Sequence, residues 1–209
     1  MSGLGEIKND HFSDRRWLLR YGALALPFIL LRPARAVERV GSVEDLTGEA
    51  FAENGAGRRN LDRAAPIFLG DEVETGVASR LGIRLGRNTT VKLGDQARLK
   101  IDRYLVDAGG EMTLSSGPLL LDGQPHRASV KILSPFAMIA VRGTRFFAGP
   151  SNGRFGVFVV RGAVTVAAAS QQVTLREGEG TDIVSPGAPP TPVKRWAPER
   201  IRAALASVS

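Results

Sequence analysis

Between Ile132 and Val166 the chain reads ILSPFAMIAVRGTRFFAGPSNGRFGVFVVRGAVTV, with alternating apolar residues on both sides of a central Val141-Arg142-Gly143-Thr144-Arg145-Phe146. Ile139 and Val141 alternate with Ala140 and Arg142, Val157 and Val159 with Phe158 and Val160, and Val164 and Val166 flank Thr165. This spacing sends successive side chains to opposite faces of an extended strand, so one face is buried and the other meets water. Gly149-Pro150-Ser151-Asn152-Gly153 and Arg161-Gly162 interrupt the runs as turns do. The stretch therefore predicts short half-buried strands joined by tight turns. It contains no catalytic constellation and places positive charge on its rim.

The same rhythm runs through most of the chain. Leu81, Ile83 and Leu85 alternate with Gly82, Arg84 and Gly86. Val91/Leu93, Leu99/Ile101, Met112/Leu114, Leu119/Leu121 and Val130/Ile132 continue it, with turn signals at Gly109-Gly110, Gly117-Pro118 and Asp122-Gly123. Glycine (24) and proline (12) are frequent, which suits strands and turns better than long helices. The expected fold is all-β: an antiparallel β-sandwich or β-roll, with a solenoid-like arrangement as the alternative, of about 10–14 short strands. No strict internal repeat supports a regular solenoid. From Ser185 to Pro192 the segment SPGAPPTP is proline-rich and extended, and Ala197–Leu205 reads as one short helix with Pro198 in its first turn. Ile201 and Leu205 would dock that helix on the body.

The N-terminal residues predict export. Ser13-Asp14-Arg15-Arg16-Trp17-Leu18-Leu19-Arg20 is basic, Tyr21–Leu31 is apolar, and Ala34-Arg35-Ala36 is a small-x-small cleavage site. The apolar part is shorter than the about 20 residues that span a bilayer, so no stable membrane anchor is expected. Arg15 and Arg16, followed by two large apolar residues and a base, resemble the twin-arginine export motif, with Ala34 and Ala36 framing the cut. The implied organisation is a twin-arginine-type signal peptide over residues 1–36, a β-domain over 37–184, and a Pro-rich tail with a short helix over 185–209. The twin-arginine translocase would be a partner during export, and the destination the bacterial periplasm.

The formal charge is +7, and the absence of cysteine removes disulfides and thiolate chemistry. Charges of both signs are mixed and aromatics make up 6%, which is not the footprint of a nucleic-acid binder. His126 is the one histidine after residue 36 and reads as a surface-loop residue, since no nucleophile-elbow motif frames a serine. Asp71/Glu72/Glu74 and Glu177/Glu179 are acidic groups at turns, where solvated side chains are expected. No phosphate-cradling glycine motif is present, and no cofactor is implied.

At the centre of the opening stretch, Ser134-Pro135 is followed by an apolar strand and Val141-Arg142-Gly143-Thr144-Arg145-Phe146. This resembles the hallmark of the FecR domain: Thr/Ser-Pro, an apolar strand, then Val-Arg-Gly-Thr-x-Phe. Val157–Val166 with Gly162 is similar to the strand-glycine-strand that follows it, and Leu175-Arg176-Glu177-Gly178-Glu179 to the closing turn. Gly70-Asp71-Glu72-Val73-Glu74-Thr75-Gly76 resembles the Gly-Asp-x-Val-x-Thr-Gly of the family's first half. The likeness runs roughly from Val40 to Ile183.

The resemblance implies a periplasmic all-β module. The best-known members are inner-membrane transducers that relay the state of an outer-membrane iron-siderophore receptor to an extracytoplasmic-function sigma factor. This sequence shows neither their anti-sigma segment nor their transmembrane helix. It is therefore expected to act as a non-enzymatic binding or sensing domain for a protein or cell-envelope ligand. An envelope scaffold using the Pro-rich tail, a part in siderophore signalling, and a hydrolase are the alternatives. Val141, Arg142, Gly143, Thr144, Phe146 and Gly162 are expected to be structural: a bend, a hydroxyl serving backbone groups, a core ring. Arg142, Arg145, Arg154 and Arg161 form the candidate binding face.

Overall fold

The computed structural model describes residues 38–105, 109–124 and 129–209. Arg15, Arg16, Ala34, Ala36 and His126 lie outside the described residues. The chain opens with β1 (Arg39–Thr47), β2 (Ala50–Asn54), β3 (Gly57–Asn60), β4 (Pro66–Phe68) and β5 (Glu72–Thr75). Then come β6 (Arg80–Leu85), β7 (Thr89–Leu93), β8 (Arg98–Leu105), β9 (Gly109–Ser116) and β10 (Leu119–Gly123). β11 (Val130–Leu133), β12 (Met138–Val141), β13 (Arg145–Ser151) and β14 (Arg154–Arg161) carry the motif region. β15 (Ala163–Ala168), β16 (Gln171–Arg176), β17 (Glu179–Ile183), β18 (Lys194–Arg195) and the helix α1 (Pro198–Ala206) complete it.

These strands form two nine-stranded sheets. The first has the order β18-β17-β14-β13-β10-β7-β6-β1-β4 and the second β16-β15-β12-β11-β9-β8-β5-β2-β3. From β6 onward the chain deals strands to the two sheets mostly in adjacent pairs. β10 goes alone to the first sheet, so β9 and β11 run in the same direction and form the parallel ladder of an otherwise antiparallel pairing. The all-β, two-sheet expectation holds, with neither sheet closing into a barrel. The described strands number 18 rather than 10–14. The excess comes from pieces such as β3, β4 and β18, whose two to four residues are too short to display a period.

Inward side chains of both sheets meet in one apolar core. Ile139, Val141, Val157, Val159, Val164 and Val166, the alternating residues of the opening stretch, all lie in it and are at most 4% exposed. The outer face of the second sheet meets water, as alternation predicts. The first sheet departs from that pattern. Leu120, Phe147 and Phe158 occupy outward positions yet are buried, because the C-terminal segment lies over them with Trp196, Ala204 and Val208. Trp196 stacks on Phe158 (5.1 Å between centroids) and meets Phe147 edge-on (6.4 Å). Its ring sits so close to β17 that a Cβ at Gly180 would fall 2.2 Å from Nε1. Ile201 and Leu205 pack on this second cluster, so the helix docks as expected. No helix among the described residues is long and apolar enough to cross a membrane.

A buried ion pair fastens the same segment. Arg200 lies over the Trp196 ring (3.5 Å), donates from Nε to Ser151 Oγ (3.0 Å), and forks onto Asp182, whose side chain is 3% exposed. Lys194 Nζ stands 3.5 Å from the same carboxylate. Burial alone would raise the Asp182 carboxyl, but hydrogen bonds and charge from Arg200, joined by Lys194, outweigh it and hold the group below its ordinary range. A depressed carboxylate contributes stability above its unfolded-state value, about 3.9, and loses it as pH falls through the folded-state value. Asp182→Asn is therefore expected to be less stable than the parent at about pH 7, with the gap closing below about pH 4. Denaturant midpoints across that range test it; a gap independent of pH would contradict it.

Candidate functional site

The family-like segments occupy two corners where the chain crosses between sheets. At the first, Asp71 is fully buried between β4 and β5. It accepts from Asn54 Nδ2 (2.6 Å), Arg59 Nη1 (3.0 Å) and the Phe68 N–H (2.8 Å), and a second guanidinium contact to Arg59 makes the pair bidentate. Arg59 Nη2 also donates to Pro66 O (3.1 Å). The expectation that the turn acids are solvated fails for Asp71: an acid at a sheet-to-sheet crossing can cap the backbone that must turn there. Glu72 and Glu74 behave as expected, half exposed and paired with Arg98 at 3.5 and 3.1 Å. Thr75 ends this segment with its hydroxyl donating to Gly94 O (2.6 Å) and accepting from Ala97 N–H (2.8 Å).

At the second corner, Ser134 closes the turn that launches β12. Its Oγ accepts from Ala137 N–H (3.0 Å), and its own N–H donates to Ala137 O (3.0 Å). Phe136 is presented to stack on Phe155 at 4.7 Å. After Val141 the chain leaves the second sheet through Arg142-Gly143-Thr144, and Phe146 enters the core fully buried. Gly162, between β14 and β15, makes the return crossing directly against the first. Its φ is +90°, and a Cβ there would meet Thr144 Cγ2 at 2.7 Å. Gly162→Ala is expected to cost about 1–2 kcal/mol for the left-handed backbone alone, plus the displacement of Thr144, and to lower the thermal midpoint accordingly.

Thr144 corrects one detail. Its hydroxyl serves no backbone group: the side chain is buried and Oγ1 has no hydrogen-bond partner among the described residues. Its structural contact is through the methyl group, packed under Gly162. The backbone carbonyl of Thr144 accepts from Gly123 N–H (2.9 Å), tying the crossing to β10.

The four arginines separate into two places. Arg145 and Arg161 lie opposite each other on β13 and β14 and share Asp122 of β10. Arg161 Nη2 is 3.0 Å from Asp122 Oδ1 and 3.1 Å from Gly123 O, and Arg145 Nε is 3.7 Å from Asp122 Oδ2. Arg142 is exposed three residues before Arg145 in the chain, at the same crossing. Arg154 is at the other end of β14, beside Phe155, in a shallow groove with Phe136, Pro150 and Val184. One half-exposed carboxylate thus faces two guanidiniums that are only partly covered, leaving excess positive charge at the motif corner. Glu179 is half-buried and accepts from Arg176 N–H (2.8 Å) across the β16–β17 turn. The Trp196–Arg200–Asp182 fastening had one sequence signal, a lone tryptophan beyond residue 36, but nothing named its partners.

The FecR protein family model matches residues 71–165, which begin at the buried aspartate and end within β15. Two crystal structures of a candidate anti-sigma factor from Parabacteroides distasonis ATCC 8503 share the fold, each with a TM-score of 0.55 and 14% identity. Each alignment covers 64% of this chain, and 63% and 64% of the respective neighbour. No curated protein matches the chain. At that identity the structural likeness is one of fold. Both corners, from Asp71 to the Thr144–Gly162 contact, fall inside the matched span, so it is over residues 71–165 that this chain is similar to the FecR protein family.

Proposed function

We propose that the chain is an exported, periplasmic, non-enzymatic recognition domain of the FecR type, which binds a protein of the cell envelope through the cationic rim at Arg142, Arg145 and Arg161. The observation that carries this reading is the convergence of Arg145 and Arg161 on the single carboxylate of Asp122. Their side chains stay 42% and 48% exposed, so each keeps donors for a second anion. Such a rim suits an acidic patch on a folded partner, with attraction that weakens as salt rises. The FecR-family match over residues 71–165 supports a place in signal relay. The Pro-rich tail supports the scaffold alternative less well, since Thr191 and Lys194 are already engaged on β17.

The test is capture from envelope extract on the immobilised chain, beside the double variant Arg145→Gln/Arg161→Gln. A protein retained by the parent, released by salt and lost from the double variant is the expected result. Equal retention by both chains, or no specific retention by the parent, would overturn the reading.

A further inference from the structure

An edge strand offers a row of unpaired N–H and C=O groups to any extended chain, and proteins usually blunt such edges. The two sheets end in β18, β4, β16 and β3. Three of these are protected. β18 has two residues, β4 has three and starts on Pro66, and β3 has four with Arg58 and Arg59 upon it. β16 is different: Gln171–Arg176 has six residues, neither proline nor glycine, one charge, and an unbroken register with β15.

The β15–β16 turn fixes which backbone groups face the open side. Ala169 and Ser170 both take positive φ, 47° and 61°, as a two-residue type I′ hairpin requires. In such a hairpin the closing pair, here Ala168 and Gln171, is hydrogen-bonded. Gln171, Val173 and Leu175 therefore bond β15, while Gln172, Thr174 and Arg176 turn their backbone groups outward. The phase is checked independently by the Arg176 N–H, which points away from β15 to donate to Glu179 Oε2 at 2.8 Å. That carboxylate guards one end of the edge, and no described group guards Gln172 or Thr174.

The surface beside this edge is neutral. Gln172 and Thr174 are exposed, Ala167 and Thr165 lie opposite them on β15, and Met138 and Ala140 follow on β12. The far half of the same sheet face is filled by ion pairs such as Arg58–Glu74, Arg98–Glu72 and Lys100–Asp102.

We propose that β16 is a self-association edge, pairing antiparallel with β16 of a second copy about a two-fold axis at Val173. In that register Gln172 faces Thr174 of the second copy and the reverse, so the two unguarded residues of each strand satisfy one another. Side chains directly opposite must share a face, which this register obeys. Val173, half-buried at the open side of the core, meets its own copy there. The two Arg176 side chains are carried about 20 Å apart, so no like charges oppose. The open stretch is only two outward residues long and is matched by itself, which favours an isologous pair over a longer foreign strand.

The chain has no cysteine, so one introduced thiol reports the register without ambiguity. Val173→Cys places two thiols across a non-hydrogen-bonded pair, where Cα atoms stand about 4.5 Å apart, within the span a disulfide bridges. Gln171→Cys places them about 14 Å apart. Under mild oxidation of the full chain, Val173→Cys should become mostly covalent dimer and Gln171→Cys should stay monomeric. In sedimentation velocity the parent should show a concentration-dependent doubling of mass. Thr174→Pro removes an open N–H without touching the β15 ladder, and should abolish the dimer with the melting midpoint nearly kept. A parent that stays monomeric, a Thr174→Pro variant that still dimerises, or cross-linking equal at both positions would overturn the proposal.

Discussion

Replacing Asp71 by alanine is expected to destabilise the protein by about 3–5 kcal/mol, the scale of breaking one side of a buried ion pair. For a domain of this size that lowers the thermal midpoint by roughly 6–20 °C. The carboxylate is fully enclosed and serves Arg59, Asn54 and the Phe68 N–H at once, so alanine removes the shared acceptor of all three. Arg59→Ala should cost at least as much. The Arg59 side chain is 29% exposed and can turn to water, whereas Asp71 cannot. The double substitution should cost less than the two singles together, because each single change already removes the shared interaction. Melting curves of the three variants decide it. Additive losses, or an Asp71→Ala loss below about 1 kcal/mol, would show that this corner is held by packing alone.

The second large effect is expected at Trp196, where alanine should cost about 3–5 kcal/mol. The ring covers Phe147 and Phe158 and supports the Arg200 guanidinium, so its loss uncovers the outer face of the first sheet. The variant should bind a hydrophobic dye before it unfolds, which the parent should not. An unchanged midpoint with no dye binding would mean that the C-terminal segment is an accessory to the fold.

How far the sequence disclosed these features depends on whether a signal is local. The core was legible because alternation is local: the paired valines and Ile139 of the motif region all proved buried. Turn glycines were legible for the same reason. The role of Asp71 was not, since burial there depends on Asn54 and Arg59 arriving from β2 and β3, and a turn acid with no neighbours in view looks solvated. Phe158 was placed correctly on the outward face, yet is buried by a tryptophan 38 residues later in the chain. The arginines of the candidate face were visible individually. Their grouping was not: Arg145 and Arg161 meet because β13 and β14 pair, and the same hairpin carries Arg154 to the opposite end.

The fold of the motif and the recognition proposed for its margin should be separable, and one paired measurement tests this most directly. Gly162→Ala and Arg145→Gln/Arg161→Gln are compared with the parent for thermal midpoint and for retention of an envelope protein. Exposed ion pairs contribute at most about 1 kcal/mol, so the arginine variant should melt within a few degrees of the parent and lose retention. Gly162→Ala should melt distinctly lower, yet retain the partner at temperatures where it is folded. A Gly162→Ala variant that melts like the parent, or an arginine variant that retains the partner in full, would contradict the account.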